Sequence, residues 1–187
     1  MFIMYDKNDN LEEKTLDTTC IYTGKIVELY VDTVTLPNGH IAKREVVKSN
    51  NAVAVIPVTK DKKIVLVKQY RYPAKSELLE IPAGRIETGE DPDAAVKREL
   101  SEETGYKVNK MEKLTEFFPA VGFATESMHL YYAEVEPDTS QHTDDDEFIQ
   151  VNLVDISDLP SMVKNGDLKD SKTVAAAYYL CWKLGLK

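Results

Sequence analysis

Cysteine is scarce in this chain: Cys20 and Cys181 are the only two in 187 residues, far apart and in no CxxC pattern. They read as reduced thiols of a cytoplasmic protein, not as a disulfide framework. Long hydrophobic runs are missing as well. No apolar stretch approaches a membrane span, and MFIMYDKNDNLEEK lacks the cationic region that precedes a secretory apolar segment. Positive charge is short: 23 Lys and Arg against 32 Asp and Glu leave a net charge of -9. A phosphate backbone needs a basic footprint, so a general nucleic-acid binder is not expected. An anionic small molecule would have to be met by a metal ion and a few local Arg or Lys. There is no internal repeat and no low-complexity linker.

What is present is ordinary globular material, 43% hydrophobic and long enough to bury a sizeable core. Residues up to about Asp17 are polar and weakly patterned. CIYTGKIVELYVDTVTL alternates as one or two strands, Pro37-Asn38-Gly39 marks a hairpin turn, and HIAKREVVKS returns as the partner. NAVAVIPV reads as a buried strand, followed by IVLVKQYRY and ELLEIPAG. After Gly105, KLTEFF, SMHLYYAEV and EFIQVNLV are strand candidates. Helices are expected around Asp158 to Lys164 and Ser171 to Leu184. The order gives a β subdomain over 1–48 and a mixed α/β unit over 49–187. A two-stranded element is marginal in water, so the hairpin must pack on the main unit or on a second copy.

The most informative stretch is GRIETGEDPDAAVKRELSEETGY, Gly84 to Tyr106. Asp91 and Pro92 start a helix and Gly105 stops it. Ala94, Ala95, Leu100 and Val96 supply apolar contacts on one side. Glu99, Glu102 and Glu103 stand at i, i+3 and i+4 and share a face. They crowd the last turn, where the helix dipole is negative and a solvated helix would carry Lys or Arg. A divalent cation would supply the missing charge, and all-oxygen ligands favour Mg²⁺, with Mn²⁺ as substitute, over zinc. Arg98 reaches Glu102 at i+4 and fixes one carboxylate while the others face the metal. Gly84, after Pro82 and Ala83, suits a tightly turned backbone and joins the candidate substrate-binding residues.

Four further places carry candidate chemistry. Arg71, in VKQYRYP, has a fork that matches phosphate, though a lone Arg there is more often half of a surface ion pair. Arg44 and Glu45 are neighbours on the hairpin's return strand and point to opposite faces. In FFPAVGFATES, Phe118 or Phe123 could face a base, and core packing is expected for at least one of the two rings. The acidic run in HTDDDEF, just before a strand, could bring a carboxylate over the metal site as general base.

The Gly84–Tyr106 pattern resembles the Nudix box, Gly-x5-Glu-x7-Arg-Glu-U-x-Glu-Glu-x-Gly-U, with Tyr106 in place of the final bulky aliphatic residue. The flanking segments resemble the ADP-ribose pyrophosphatase branch of the Nudix hydrolases: Leu36 to Gly39, Lys43 to Glu45, Lys68 to Arg71, Leu79 to Gly84, Gly122 to Glu126, and Asp144 to Phe148. The resemblance implies an α/β (α+β) fold, an αβα sandwich around a mixed β-sheet with a small N-terminal antiparallel β subdomain. It implies a Mg²⁺-dependent hydrolase of nucleoside diphosphate sugars, giving AMP and ribose 5-phosphate from ADP-ribose. It further implies a homodimer whose N-terminal subdomain completes the partner's site. By analogy the metal ligands would be the Ala83 carbonyl, Glu99 and Glu103, with Glu102 nearby. Arg44, Glu45 and Arg71 would hold substrate, and Tyr30 or Tyr22 would stack on adenine. The base would be Glu147 or Asp145, with Glu147 favoured for its reach. Val121 stands where the branch has a proline, which leaves a broader nucleoside diphosphate sugar hydrolase, acting for instance on GDP-mannose, as the alternative. A non-catalytic ADP-ribose sensor is a rival of another class, which would carry an eroded box and an attached basic helix-turn-helix, whereas the box here is intact.

Overall fold

The computed structural model describes residues 10–139, 141–143 and 147–186. The chain divides into two units, the described residues of Met1–Ser49 with Ala120–Glu126, and those of Asn50–Pro119 with Ser127–Lys187.

In the first unit β1 (Lys14–Thr23), β2 (Glu28–Thr35) and β3 (Ile41–Lys48) form an antiparallel sheet in that order. The expected hairpin turn closes at Gly39, whose φ of 82° suits glycine and whose amide donates to Leu36 O at 2.9 Å. β1 begins at Lys14, within the stretch that looked unpatterned. Every β1 residue is exposed and two bulges interrupt its register, so neither burial nor period 2 marks it in the sequence. The segment Ala120–Glu126 is held on β3 by Val47 N to Phe123 O (2.8 Å) and Thr125 N to Val47 O (3.0 Å).

The second unit is built around β4 (Ala52–Thr59), apolar along nearly its whole length because both of its faces are covered. Ala52, Ala54, Ile56 and Val58 enter one buried cluster, and Val53 and Val55 enter another. Around it lie β5 (Lys63–Arg71), β6 (Ser76–Glu80), β7 (Ala83–Arg85), β8 (Tyr106–Phe117), β9 (Met128–Pro137) and β10 (Gln150–Asp155). The main order of this seven-stranded sheet is β10-β5-β4-β9-β8, with β6 on β5 and β7 on β4. β4 and β9 run parallel and the other pairs antiparallel. Helix α1 (Pro92–Thr104) packs Ala95, Val96 and Leu100 into the cluster of Val53 and Val55. Helices α2 (Leu159–Asn165) and α3 (Ser171–Leu184) cover the other face through Leu159, Ala176, Ala177 and Leu180. This is the expected αβα sandwich around a mixed sheet.

Two local expectations shift. Ala94 is exposed while Val96 is fully buried, because the α1 stripe that meets the sheet runs through 95, 96, 100 and 103. β8 extends well upstream of KLTEFF; bulges near Val108 and Lys113 break the alternation that would have marked it. No helix among the described residues is long and apolar enough to cross a membrane.

Candidate active site

The site begins at a proline. Pro82 has no amide to give a sheet, but its carbonyl accepts from Val55 N at 3.0 Å, and the chain then runs as β7 along the start of β4. Facing it is α1, capped by Asp91 Oδ1 accepting from Asp93 N (2.9 Å) and ended by Gly105 at φ 72°. From its last turns Glu103 accepts from Ala83 N at 3.1 Å. Glu99 lies against Gly84, where a Cβ would stand 1.9 to 2.2 Å from the Glu99 carboxyl atoms. Gly84 is therefore needed for space. Gly84→Ala must push the Glu99 carboxylate aside, and turnover should fall roughly 100-fold, as misplacement by about 1 Å does. Because only the end of a side chain has to yield, Tm should move by a few degrees at most. Native turnover from purified Gly84→Ala would show that the Glu99 position is immaterial.

Arg98 uses all five of its N–H donors. Nε and Nη2 bind the two Glu90 oxygens at 2.8 and 2.9 Å, and Nη2 also donates to Arg85 O at 3.1 Å. Nη1 donates to Glu99 Oε1 at 2.8 Å and Glu102 Oε2 at 3.1 Å. The expected Arg98–Glu102 contact is present, and the guanidinium gathers Glu90 and Glu99 as well. Hydrogen bonding to Arg98 holds the Glu90 carboxyl down to about 2.

The three α1 carboxylates differ in burial. Glu102 is half exposed, Glu99 mostly covered, and Glu103 only 4% exposed. Burial pushes Glu103 up to about 8, with the charges of Glu99 and Glu147 acting the same way and the Ala83 amide opposing. Burial also raises Glu99, against the pull of Arg98. Among the described residues no Lys or Arg is hydrogen-bonded to Glu103, and Lys172 acts on it only through its charge, so this corner of the site holds buried acid with little cation beside it. Its donors are all oxygens, and a hard divalent cation fits that chemistry. Among the described residues no three His, Cys, Asp or Glu side chains converge on one point. Instead Arg98 ties Glu99 and Glu102, and the Ala83 amide ties Glu103.

The loop after β9 is fastened to the end of α1. Gln141 Nε2 donates to Glu103 O (2.7 Å) and to Ile149 O (3.1 Å), and His142 N donates to Glu102 O (2.9 Å). These bonds satisfy carbonyls that a helix end leaves open. They bring Glu147 near enough for its charge to act on Glu99 and Glu103. Asp145 lies outside the described residues.

Of the remaining candidates, Arg71 gives Nε and Nη2 to the two oxygens of Glu80 at 2.7 and 2.8 Å. Arg44, Glu45 and Tyr30 belong to the first unit. Arg44 makes a fork to Glu13 at 2.8 and 2.6 Å, and Glu45 is exposed on β3. Tyr30 donates to Glu28 at 2.8 Å and carries the Lys48 ammonium 4.0 Å over its ring. Phe118 and Phe123 are both exposed, so neither takes the core role expected of one of them; Phe117 packs on the core instead. Sequence reading missed Glu90 as the partner of Arg98, and Glu80 with Lys172 altogether. The signal for Glu80 was a lone acid between Leu78, Leu79 and Ile81 in a strand bound for the core.

Residues 48–177 match the NUDIX domain model, and residues 13–47 match the nucleoside diphosphate sugar hydrolase N-terminal domain. An ADP-ribose pyrophosphatase of Bacillus subtilis is 43% identical over 180 residues, 95% of this chain and 97% of its own. A methanol dehydrogenase activator of Bacillus methanolicus is 44% identical over 178 residues, 94% and 96% of the two chains. A solved structure described as an ADP compounds hydrolase superposes with a TM-score of 0.81 at 20% identity, covering 92% of this chain and 94% of that one. With the domain model spanning most of its length and the Arg98-centred carboxylates in place, this chain belongs to the Nudix hydrolase family.

Proposed function

We propose that the protein hydrolyses the pyrophosphate of ADP-ribose to AMP and ribose 5-phosphate with Mg²⁺, Mn²⁺ being able to substitute. The observation that carries this reading is the pair of covered carboxylates, Glu99 and Glu103, set against the Ala83–Gly84 turn with Arg98 fully committed beside them. The Bacillus subtilis relative, similar over nearly the whole length, supports the choice of substrate.

Glu99, Glu102, Glu103 and the Ala83 carbonyl would hold the cation. When bound, it would polarise the phosphates and make a nearby water more acidic. Arg98 keeps Glu99 and Glu102 oriented. Glu147 takes the proton of the attacking water, with Asp145 as the second candidate. The water oxygen bonds to phosphorus, the bridging P–O bond breaks, and the departing phosphate keeps the electron pair. Arg44, Glu45 and Arg71 are assigned to substrate, together with the Gly84 turn, and Tyr30 to the adenine. The exposed apolar side chains Leu16, Ile21, Tyr22 and Ile41 on the three-stranded sheet support a homodimer formed through it, which light scattering reads directly. The free thiols Cys20 and Cys181 support a cytoplasmic location.

A second reading, a broader nucleoside diphosphate sugar hydrolase acting also on GDP-mannose, is favoured by one observation. Val121, where the branch has proline, is 75% exposed in the 120–126 segment and does not restrict φ as proline would. A Mg²⁺-dependent panel of ADP-ribose, ADP-glucose, GDP-mannose, UDP-glucose, NADH and a nucleoside triphosphate separates the readings. Dominant conversion of ADP-ribose to AMP is expected. Comparable turnover of several sugars would move the assignment to the broader hydrolase, and binding of ADP-ribose without turnover would move it to a sensor.

A further inference from the structure

The turn that meets Glu99 and Glu103 is fixed from behind by the first turn of α3, about ninety residues further along the chain. Glu80, the last residue of β6, is 1% exposed. Its carboxylate receives Arg71 on both oxygens and the Lys172 ammonium on Oε2. Lys172, only 7% exposed, is held also by Asp170 Oδ2 at 3.0 Å. Asp170 caps α3, accepting from Thr173 N at 3.0 Å and from Thr173 Oγ1 at 2.6 Å. Thr173 Oγ1 in turn accepts from Ile81 N at 2.9 Å. Four successive residues are thereby restrained: Glu80 by Lys172 and Arg71, Ile81 by Thr173, Pro82 by Val55, and Ala83 by Glu103.

We propose that Lys172 is a positioning residue for the hydrolysis: through Glu80 it sets the Ile81–Gly84 turn, and so the register of Ala83 and Gly84 against Glu103 and Glu99. Lys172 is buried and spends its charge on Glu80 and Asp170, so it is not a spare charge for substrate. A buried ammonium has a large desolvation cost, and a Met of similar volume would suffice if the position only had to be filled. The position instead carries three hydrogen-bond donors, two of them aimed at carboxylates one step from the candidate metal turn. The inference rests on the proposed activity only for its kinetic arm.

The test compares Lys172→Met and Lys172→Arg with the unmodified protein, in ADP-ribose hydrolysis and in amide hydrogen exchange resolved at Ile81, Ala83 and Gly84. For Lys172→Met, kcat per folded molecule should fall 10- to 100-fold with KM within about threefold, the scale expected for misplacement of order 1 Å. Exchange at Ile81 and Ala83 should accelerate ahead of the rest of β4 and β7. Lys172→Arg, which keeps the cation, should recover a substantial part of kcat. A role confined to stability would lower Tm but leave kcat per folded molecule unchanged, and that result overturns the proposal. If Lys172→Met fails to fold, exchange in the unmodified protein still decides: an Ala83 amide exchanging as fast as an exposed loop overturns it. If the unmodified protein hydrolyses nothing, the functional reading fails, while the exchange comparison still tests the positioning role.

Discussion

Glu103→Gln should lower kcat about a thousandfold or more while leaving thermal stability unchanged or slightly raised. The opposite signs come from one fact, the burial of a carboxylate to which no cation is bonded among the described residues. In the folded protein the charge of Glu103 is disfavoured by desolvation and by Glu99 and Glu147. Gln keeps the shape and can still accept from Ala83 N, so the fold has nothing to lose. The reaction does, because an amide oxygen is a weak ligand for a hard cation and contributes no charge to offset the phosphates. Three decades in rate correspond to about 4 kcal/mol of transition-state stabilisation. Steady-state kinetics beside a melting curve measure both halves, and near-native turnover would remove Glu103 from the chemistry.

The second large effect is on stability. Glu80→Gln removes the anion that Arg71 and buried Lys172 share. Removing one member of a buried ion pair costs about 3–5 kcal/mol, because the other charge stays behind without compensation. For a chain of this size that lowers Tm by about 10 °C. The pH dependence has a definite sign. Burial alone would raise the Glu80 carboxyl, but Arg71 and Lys172 outweigh it and hold the group below its ordinary value. The stabilisation is therefore present above the unfolded carboxylate pKa and is lost as pH falls through the lower, folded one. The gap in Tm between unmodified and Glu80→Gln protein should be full at neutral pH and close in acid, below about pH 4. A gap that stays constant with pH would mean the carboxylate charge is not what matters.

Legibility in the sequence followed the distance between partners. Glu99, Glu102, Glu103 and Arg98 share one helix, so a 3.6-residue period is enough to place them together, and the structure keeps them so. Both faces of β4 could be anticipated from an unbroken apolar run. Ala94 and Val96 were harder, since which side of a helix meets the sheet depends on the sheet. β1 escaped because an exposed, bulged strand has no hydrophobic period to read. Arg71 illustrates the limit: residue type allowed a phosphate clamp or an ion pair, and only the fold brings Glu80 to it. Lys172 reads as an ordinary surface lysine until α3 is docked on β6.

The parallel pairing of β4 with β9 also sets an order in time. Ala52–Thr59 meets β5 and β7 soon after it is made, but its other edge has no mate until Met128–Pro137 has been synthesised. At roughly 5–20 residues per second, a ribosome leaves that edge of a strongly apolar strand open for several seconds. During that interval the nascent chain offers a template for adding a foreign strand, and chaperone capture or a slower supply of chains would protect it. Helix α1 is translated inside the same interval, so Glu99, Glu102 and Glu103 are made before the strand that closes the second edge of β4.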